Sequence, residues 1–432
     1  MRFSRRKRVW LPLSIVLIVA IWAIVISIDE PLADVSDLAP APRASVTAGD
    51  NGITPILRAC DPDRARVVDL VILGHRDDYD SGEAMWADVE TYLHAVAPLR
   101  DAIEEALQCP AFQLSEVDDS LEPDARELLA LRAAGHAAAW ACRWHVRRGE
   151  PDLALEWAHR AARLGVRVRK GSRSVTQFAA GSAMVSVALS DLWCACWEHA
   201  DESRIARELE WLLGLELDGS AWVEALKEEH ATLRAHLEML VGGGSESMTR
   251  CLGLPSPVWK PHATRNLLAE SIRDLLRTAS AAEVVCDRPP IPDFSPWRAF
   301  WSGNVLGKER VRLLRLAHAD GEGSGRRCGG TRRLCRTALA LLQHSLRHGT
   351  LPADLGSLTT GVDAPLEPSE VVGVKYDPKT RWIGWTEPND SDWGYWPESW
   401  HEESLVGPPS RAPLIIGRTL DRAVREHAIP GG

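Results

Sequence analysis

The chain has 432 residues, with 60 Asp and Glu against 50 Lys and Arg and a formal net charge of −10. Five basic residues fall in the first eight positions and residues 9–28 carry no charge, so the remainder holds −15. An acidic body of this kind excludes nucleic acid as the main partner, because a phosphate backbone needs a matching positive surface.

Residues 9–28, VWLPLSIVLIVAIWAIVISI, form an uncharged run of the length that crosses about 30 Å of hydrocarbon as a helix. The basic flank 1–8 precedes it and Asp29-Glu30 follows. Basic flanks stay on the cytoplasmic side, so this pattern predicts a single-pass signal-anchor in the inner (cytoplasmic) membrane with the body outside the cytoplasm. The lipid bilayer is then the first expected partner. A cleaved export signal is the competing reading, although the apolar run is long for one and no small-residue cleavage site follows closely.

Residues 29–80 begin with a stretch rich in Pro, Ala, Asp and Gly, which predicts a tether. From 81 to 244 the apolar spacing is helical throughout. Pro123 and Pro151, each between Glu and Asp, mark helix starts, where a missing N–H costs nothing and acids face the positive end of the dipole. Leu128, Leu131, Gly135, Ala138 and Cys142 share one face, Arg147-Arg-Gly149 reads as a hinge, and Leu153, Trp157, Ala161 and Leu164 share the next. Trp222, Leu226, His230, Leu233 and Leu237 make a later stripe, on which His230 reads as a hydrogen-bonded core histidine. Residues 174–197 hold a single charge, Asp191, but their many Ser, Thr and Gln positions predict a buried core helix over a second membrane span.

Residues 245–304 are Pro-rich and irregular, with one short helix at 264–279. Residues 305–420 begin with two predicted helices, 305–319 and 331–348, separated by a flexible loop in the five glycines of 321–330. The period then changes. Two short strands, 371–376 and 381–386, joined by the turn Asp377-Pro-Lys-Thr380, predict a small antiparallel hairpin against the preceding helix. Strand alternation puts Trp385 on the same side as Ile383, predicted inward, and Trp382 outward. Residues 421–432 read as a tail. The fold class expected is mainly α: a transmembrane helix, a helical hairpin or bundle body, and a small α+β C-terminal domain.

Signatures of familiar chemistry are absent from the sequence: no zincin helix, phosphate-cradling loop, nucleophile elbow or dinucleotide fingerprint. No cofactor is predicted. The nine cysteines include no CxxC pair, and their odd count leaves at least one free or paired between molecules. The local anomaly is aromatic, with five of 18 tryptophans inside residues 382–400. Trp382, Trp393, Tyr395, Trp396 and Trp400 are candidate binding residues, as a stacking platform for glycan or peptide; filling a small core is the favoured reading.

LALLQHSLRHGTLPADLGSL (339–358) and VGVKYDPKTRWIGWTEPNDSDWG (372–394) resemble the C-terminal region of an uncharacterised family of membrane-anchored bacterial proteins. In that family a helical body precedes a segment like the pseudopilins of type II secretion. Gly349, Pro352, Leu355, Tyr376, Trp385, Asp390 and Asp392 fall on the pseudopilin-like pattern, and residues 128–164 resemble a tetratricopeptide unit. The resemblance implies architecture and attachment and is nearly silent on chemistry: the Asp-rich loop of major pseudopilins binds calcium, and Asn389, Asp390 and Asp392 supply oxygen ligands here without the spacing of a dedicated calcium loop. The function expected is a membrane-tethered extracytoplasmic interaction or scaffold protein with an envelope protein partner. The alternative is an envelope hydrolase or glycan-binding accessory protein using the Trp cluster.

Overall fold

A computed structural model describes Leu17 and residues 29–60, 83–115, 125–217, 219–242, 260–280, 304–360, 364–378, 382–385 and 414–415. Among these the protein is mainly helical. Apart from Leu17, the predicted membrane segment lies outside them. The α-helices are α1 (Ile53–Ala59), α2 (Glu83–Ala95), α3 (Ala97–Gln108), α4 (Ala125–Arg147), α5 (Pro151–Gly171), α6 (Val175–Glu198), α7 (Glu202–Leu213), α8 (Ser220–Gly242), α9 (Pro261–Ser280) and α10 (Val305–His348).

The helical periodicity read from the sequence has a direct physical counterpart. Gly149, at φ 73°, supplies the left-handed residue that ends α4, and Pro151 opens α5. Ser174 caps α6 by accepting from the Gln177 N–H at 3.2 Å, and Asp201 caps α7 by accepting from the Arg204 N–H at 2.8 Å. α6 packs against α4, α5, α8 and α10. It is long and apolar enough to cross a membrane by length and composition, yet most of it is buried inside the protein.

Two apolar clusters result. The larger gathers α1–α7 and the C-terminal half of α10, with Trp140, Leu131, Leu164, Leu189 and Leu192 fully enclosed. Small residues set its spacing: a Cβ on Gly165 or on Gly181 would come within 2.8 Å of the other's carbonyl oxygen, so α5 and α6 touch backbone to backbone. The smaller cluster joins α8 and α9 to Leu38, Val175 and Phe178.

α10 corrects the expected break. Its 44 residues run as one helix through every glycine of 321–330. Glycine costs a helix up to about 1 kcal/mol relative to alanine, but here two of them make room. A Cβ on Gly321 would collide with Val175 and crowd Trp222, and one on Gly325 would stand 3.0 Å from Phe178. The glycines fit α10 against the start of α6; packing overrides propensity.

After α10, Gly349 (φ 69°) turns the chain. The strands β1 (Val374–Asp377), β2 (Trp382–Trp385) and β3 (Leu414–Ile415) pair antiparallel in that order, with Tyr376 opposite Ile383 and Asp377 opposite Trp382. Ile383 is fully buried in the larger cluster, Tyr376 packs on its edge, and the Tyr376 hydroxyl donates to the Pro352 carbonyl at 2.9 Å. Arg336 of α10 pairs with Glu370. The side chains of Trp382 and Trp385 lie outside the described residues, so the inward and outward assignment stays an expectation.

Candidate functional site

Of the residues singled out in the sequence, the backbone of Trp382 pairs with Ile415 in the sheet. Trp393, Tyr395, Trp396, Trp400, Asn389, Asp390 and Asp392 all lie outside the described residues. Among the described residues no group of three or more His, Cys, Asp or Glu could hold a metal ion. The seven described cysteines are free thiols. Burial pushes the Cys142 thiol well up, reinforced by Asp191, and burial with Glu208 does the same to Cys196; thiols held protonated in this way are structural.

Among the described residues, a cleft of about 630 Å³ lies under residues 32–40, between α8 and α9. It exists because residues 29–43, the start of the stretch read as a tether, are bonded to the body as a strap. The Asp29 carboxylate accepts from the N–H groups of His262 (2.8 Å) and Ala263 (3.0 Å), capping the first turn of α9 where unpaired donors and the helix dipole favour an anion. The Ala33 N–H donates to Asn266 Oδ1 at 2.9 Å, and Asn266 Nδ2 donates to the Pro31 carbonyl at 2.9 Å. Arg273 donates to the Asp34 carbonyl and to both oxygens of Asp37. His262, Asn266 and Arg273, spaced by four and seven, lie along one face of α9.

Beyond this the strap continues. Leu38 is 1% exposed and plugs the smaller cluster. The Ala41 N–H donates to Glu224, and Arg43 donates to the Gly171 and Ser172 carbonyls while pairing with Glu228 at 2.8 Å. Asp34 is held below its usual carboxyl range by hydrogen bonds from Ser36, and Asp37 by the hydrogen bonds of Arg273.

His230 faces the cleft. It is 4% exposed, and no described group hydrogen-bonds its ring, in contrast to the hydrogen-bonded core histidine expected from the sequence. Burial first, then the charges of Arg234 and Arg273, lower its pKa to about 4 against the opposing pull of Asp37, so at neutral pH the ring is uncharged and offers one donor and one acceptor. At the rim Arg234 and Arg265 both donate to Glu238 Oε1, at 3.1 and 2.5 Å. Ala231, Ala235, Leu268, Val35 and Leu38 supply apolar wall.

Periodicity placed His230 on the apolar face of α8, but the strap was not found. The signal available was the polar face of α9, whose His262, Asn266 and Arg273 have no apolar role. Compared with family models, with curated proteins and with solved structures, the chain matches none.

Proposed function

We propose that the protein is a single-pass, membrane-anchored interaction protein. In this reading residues 1–8 stay in the cytoplasm, residues 9–28 cross the inner membrane, and the helical body binds an envelope protein partner on the far side. A small α+β C-terminal unit like that of pseudopilins, built around the strands, completes the architecture. The observation that carries the reading is the docking of the strap: bonding to α9 begins at Asp29, the residue that directly follows the uncharged run. A body held from that residue onward stands fixed at the bilayer surface, which suits a scaffold that presents one face at a set height. A chain swinging on fifty free residues would present all of them.

A reporter that requires export, fused after Gly432, tests the topology: activity is expected, and fluorescence from a fused cytoplasm-only fluorophore would overturn it. Replacing Arg2, Arg5, Arg6, Lys7 and Arg8 by Glu should scramble the orientation, since that flank sets it. Solubilisation in detergent should recover the chain with a stoichiometric protein partner; a partnerless chain counts against the scaffold role.

A further inference from the structure

We propose that the cleft between the strap and α8/α9 binds the headgroup of a zwitterionic, ammonium-bearing phospholipid drawn from the leaflet beside it. The lipid source rests on the anchor reading given above; the headgroup chemistry rests on the cleft alone.

Three observations converge. The first is His230, 4% exposed, whose neutral ring lines the cleft and is hydrogen-bonded by no described protein group. Its one donor and one acceptor are therefore open to whatever occupies the cleft. The ring is surrounded by the charges of Arg234, Arg265 and Arg273, opposed by Asp37, so the field at the cleft floor favours an oxygen acceptor carrying negative charge.

The second is the rim. Arg234 and Arg265 each spend one donor on the same Glu238 oxygen, and a guanidinium carries five N–H donors in a fixed fork that matches phosphate. The donors left on these two arginines and the His230 N–H all line one cleft, and together they suit a phosphodiester. Glu238 and Asp34 share the lining, so a purely anionic headgroup would meet two carboxylates. An ammonium carried a few bonds from the phosphate meets them as partners, which favours a zwitterion over an anion.

The third is size and place. A cleft of 630 Å³ takes a headgroup and glycerol but not two acyl chains. Its wall begins at Leu32, four residues after Ile28, and four residues of extended chain reach about 14 Å. Headgroups of the anchoring leaflet stand within that reach.

The test uses the full chain purified in a maltoside detergent, which has neither phosphate nor ammonium. Soluble dihexanoyl phosphatidylethanolamine, dihexanoyl phosphatidylglycerol and chain-free phosphoethanolamine are titrated, and the ¹⁵N signals of the His230 ring, assigned with His230→Gln, are followed. Phosphatidylethanolamine should bind saturably and move those signals, with the phosphatidylglycerol at least about tenfold weaker, as expected when one charged contact turns unfavourable. Arg265→Gln should weaken binding by about tenfold, the scale of one lost charge-assisted contact. Ala235→Trp, at an exposed position on the cleft wall, should block binding while the thermal melt stays in place, which separates lost contact from lost folding. Absence of saturable binding, equal binding of the two lipids, or unchanged binding in Ala235→Trp would overturn the proposal. Phosphoethanolamine binding as tightly as the lipid would assign the cleft to a soluble zwitterion and overturn the membrane as source. The reporter fusion fails or succeeds independently of these titrations, so failure of the anchor reading is told apart from failure of the site.

Discussion

The two apolar clusters of this protein are built by different means. In the larger, glycines let α5 and α6 approach until backbones touch, alanines line α4, and Trp140 is enclosed among them. In the smaller, α8 and α9 carry leucines and one aromatic pair, Phe178 and Trp222 with ring centroids 5.2 Å apart, and Leu38 from a distant segment completes it. The first cluster is held by shape, with backbones in contact. The second is closed by a strap whose bonds come from polar side chains near the surface, so it is expected to open before the first. Close packing of small residues makes a framework; a polar strap makes a closure.

The largest expected effect separates the two. Trp140→Ala empties the larger cluster and should cost about 3–5 kcal/mol in denaturant unfolding, whereas Leu38→Ala should cost about 2–4 kcal/mol and expose the strap to protease under conditions that leave α4–α6 protected. A single shared transition with no change in strap cleavage for Leu38→Ala would show that the clusters are not separable.

Next comes the ion pair inside the larger cluster. Arg143 Nε donates to Asp191 Oδ1 at 2.8 Å, while Asp191 Oδ2 is buried without a hydrogen bond. Burial raises the Asp191 pKa above its usual 3.8 and Arg143 pulls it back. Arg143→Ala strands a buried carboxylate and should cost about 3–5 kcal/mol at pH 8, as broken buried pairs do. Because a raised carboxyl is fully accommodated below 3.8 and penalised as pH rises through its folded value, the loss should shrink as the melt is repeated toward that range. A pH-independent loss would refute the assignment.

The glycines of α10 test the seam between the clusters. Gly321→Ala should destabilise by about 1–3 kcal/mol, since its methyl meets Val175 and Trp222. Gly329→Ala, where nothing stands within 4 Å of the new Cβ, should stabilise by about 0.5–1 kcal/mol through helix propensity. Equal signs for the two would mean that packing does not hold this helix together.

The smallest effect belongs to the strap surface. Arg273→Ala should leave the melting temperature nearly unmoved and speed amide exchange at Ala33, with its neighbours following. The wild-type strap should loosen only as pH falls below about 3.8, because Asp34 and Asp37 have depressed pKa values and their docking is complete above it. Exchange at Ala33 unaltered by Arg273→Ala would place the strap's hold elsewhere.

The mainly helical fold was legible in the sequence because the code for it is local. An apolar residue every three or four positions states which face a helix buries, and Ser174, Asp201, Gly149 and Pro151 state where helices begin and turn. Tertiary structure alone decided three things. The continuity of α10 through its glycines depends on Val175, Trp222 and Phe178 lying alongside, contacts worth more than the propensity they override. The docking of residues 29–43 depends on Asn266 and Arg273, more than 200 positions away, and a sequence rich in Pro and Asp reads the same whether those partners exist or not. The opening of His230 toward a cleft, and away from a core partner, follows from that docking. Periodicity fixes the face a residue lies on; only the partner brought to that face decides whether its polar atoms are satisfied.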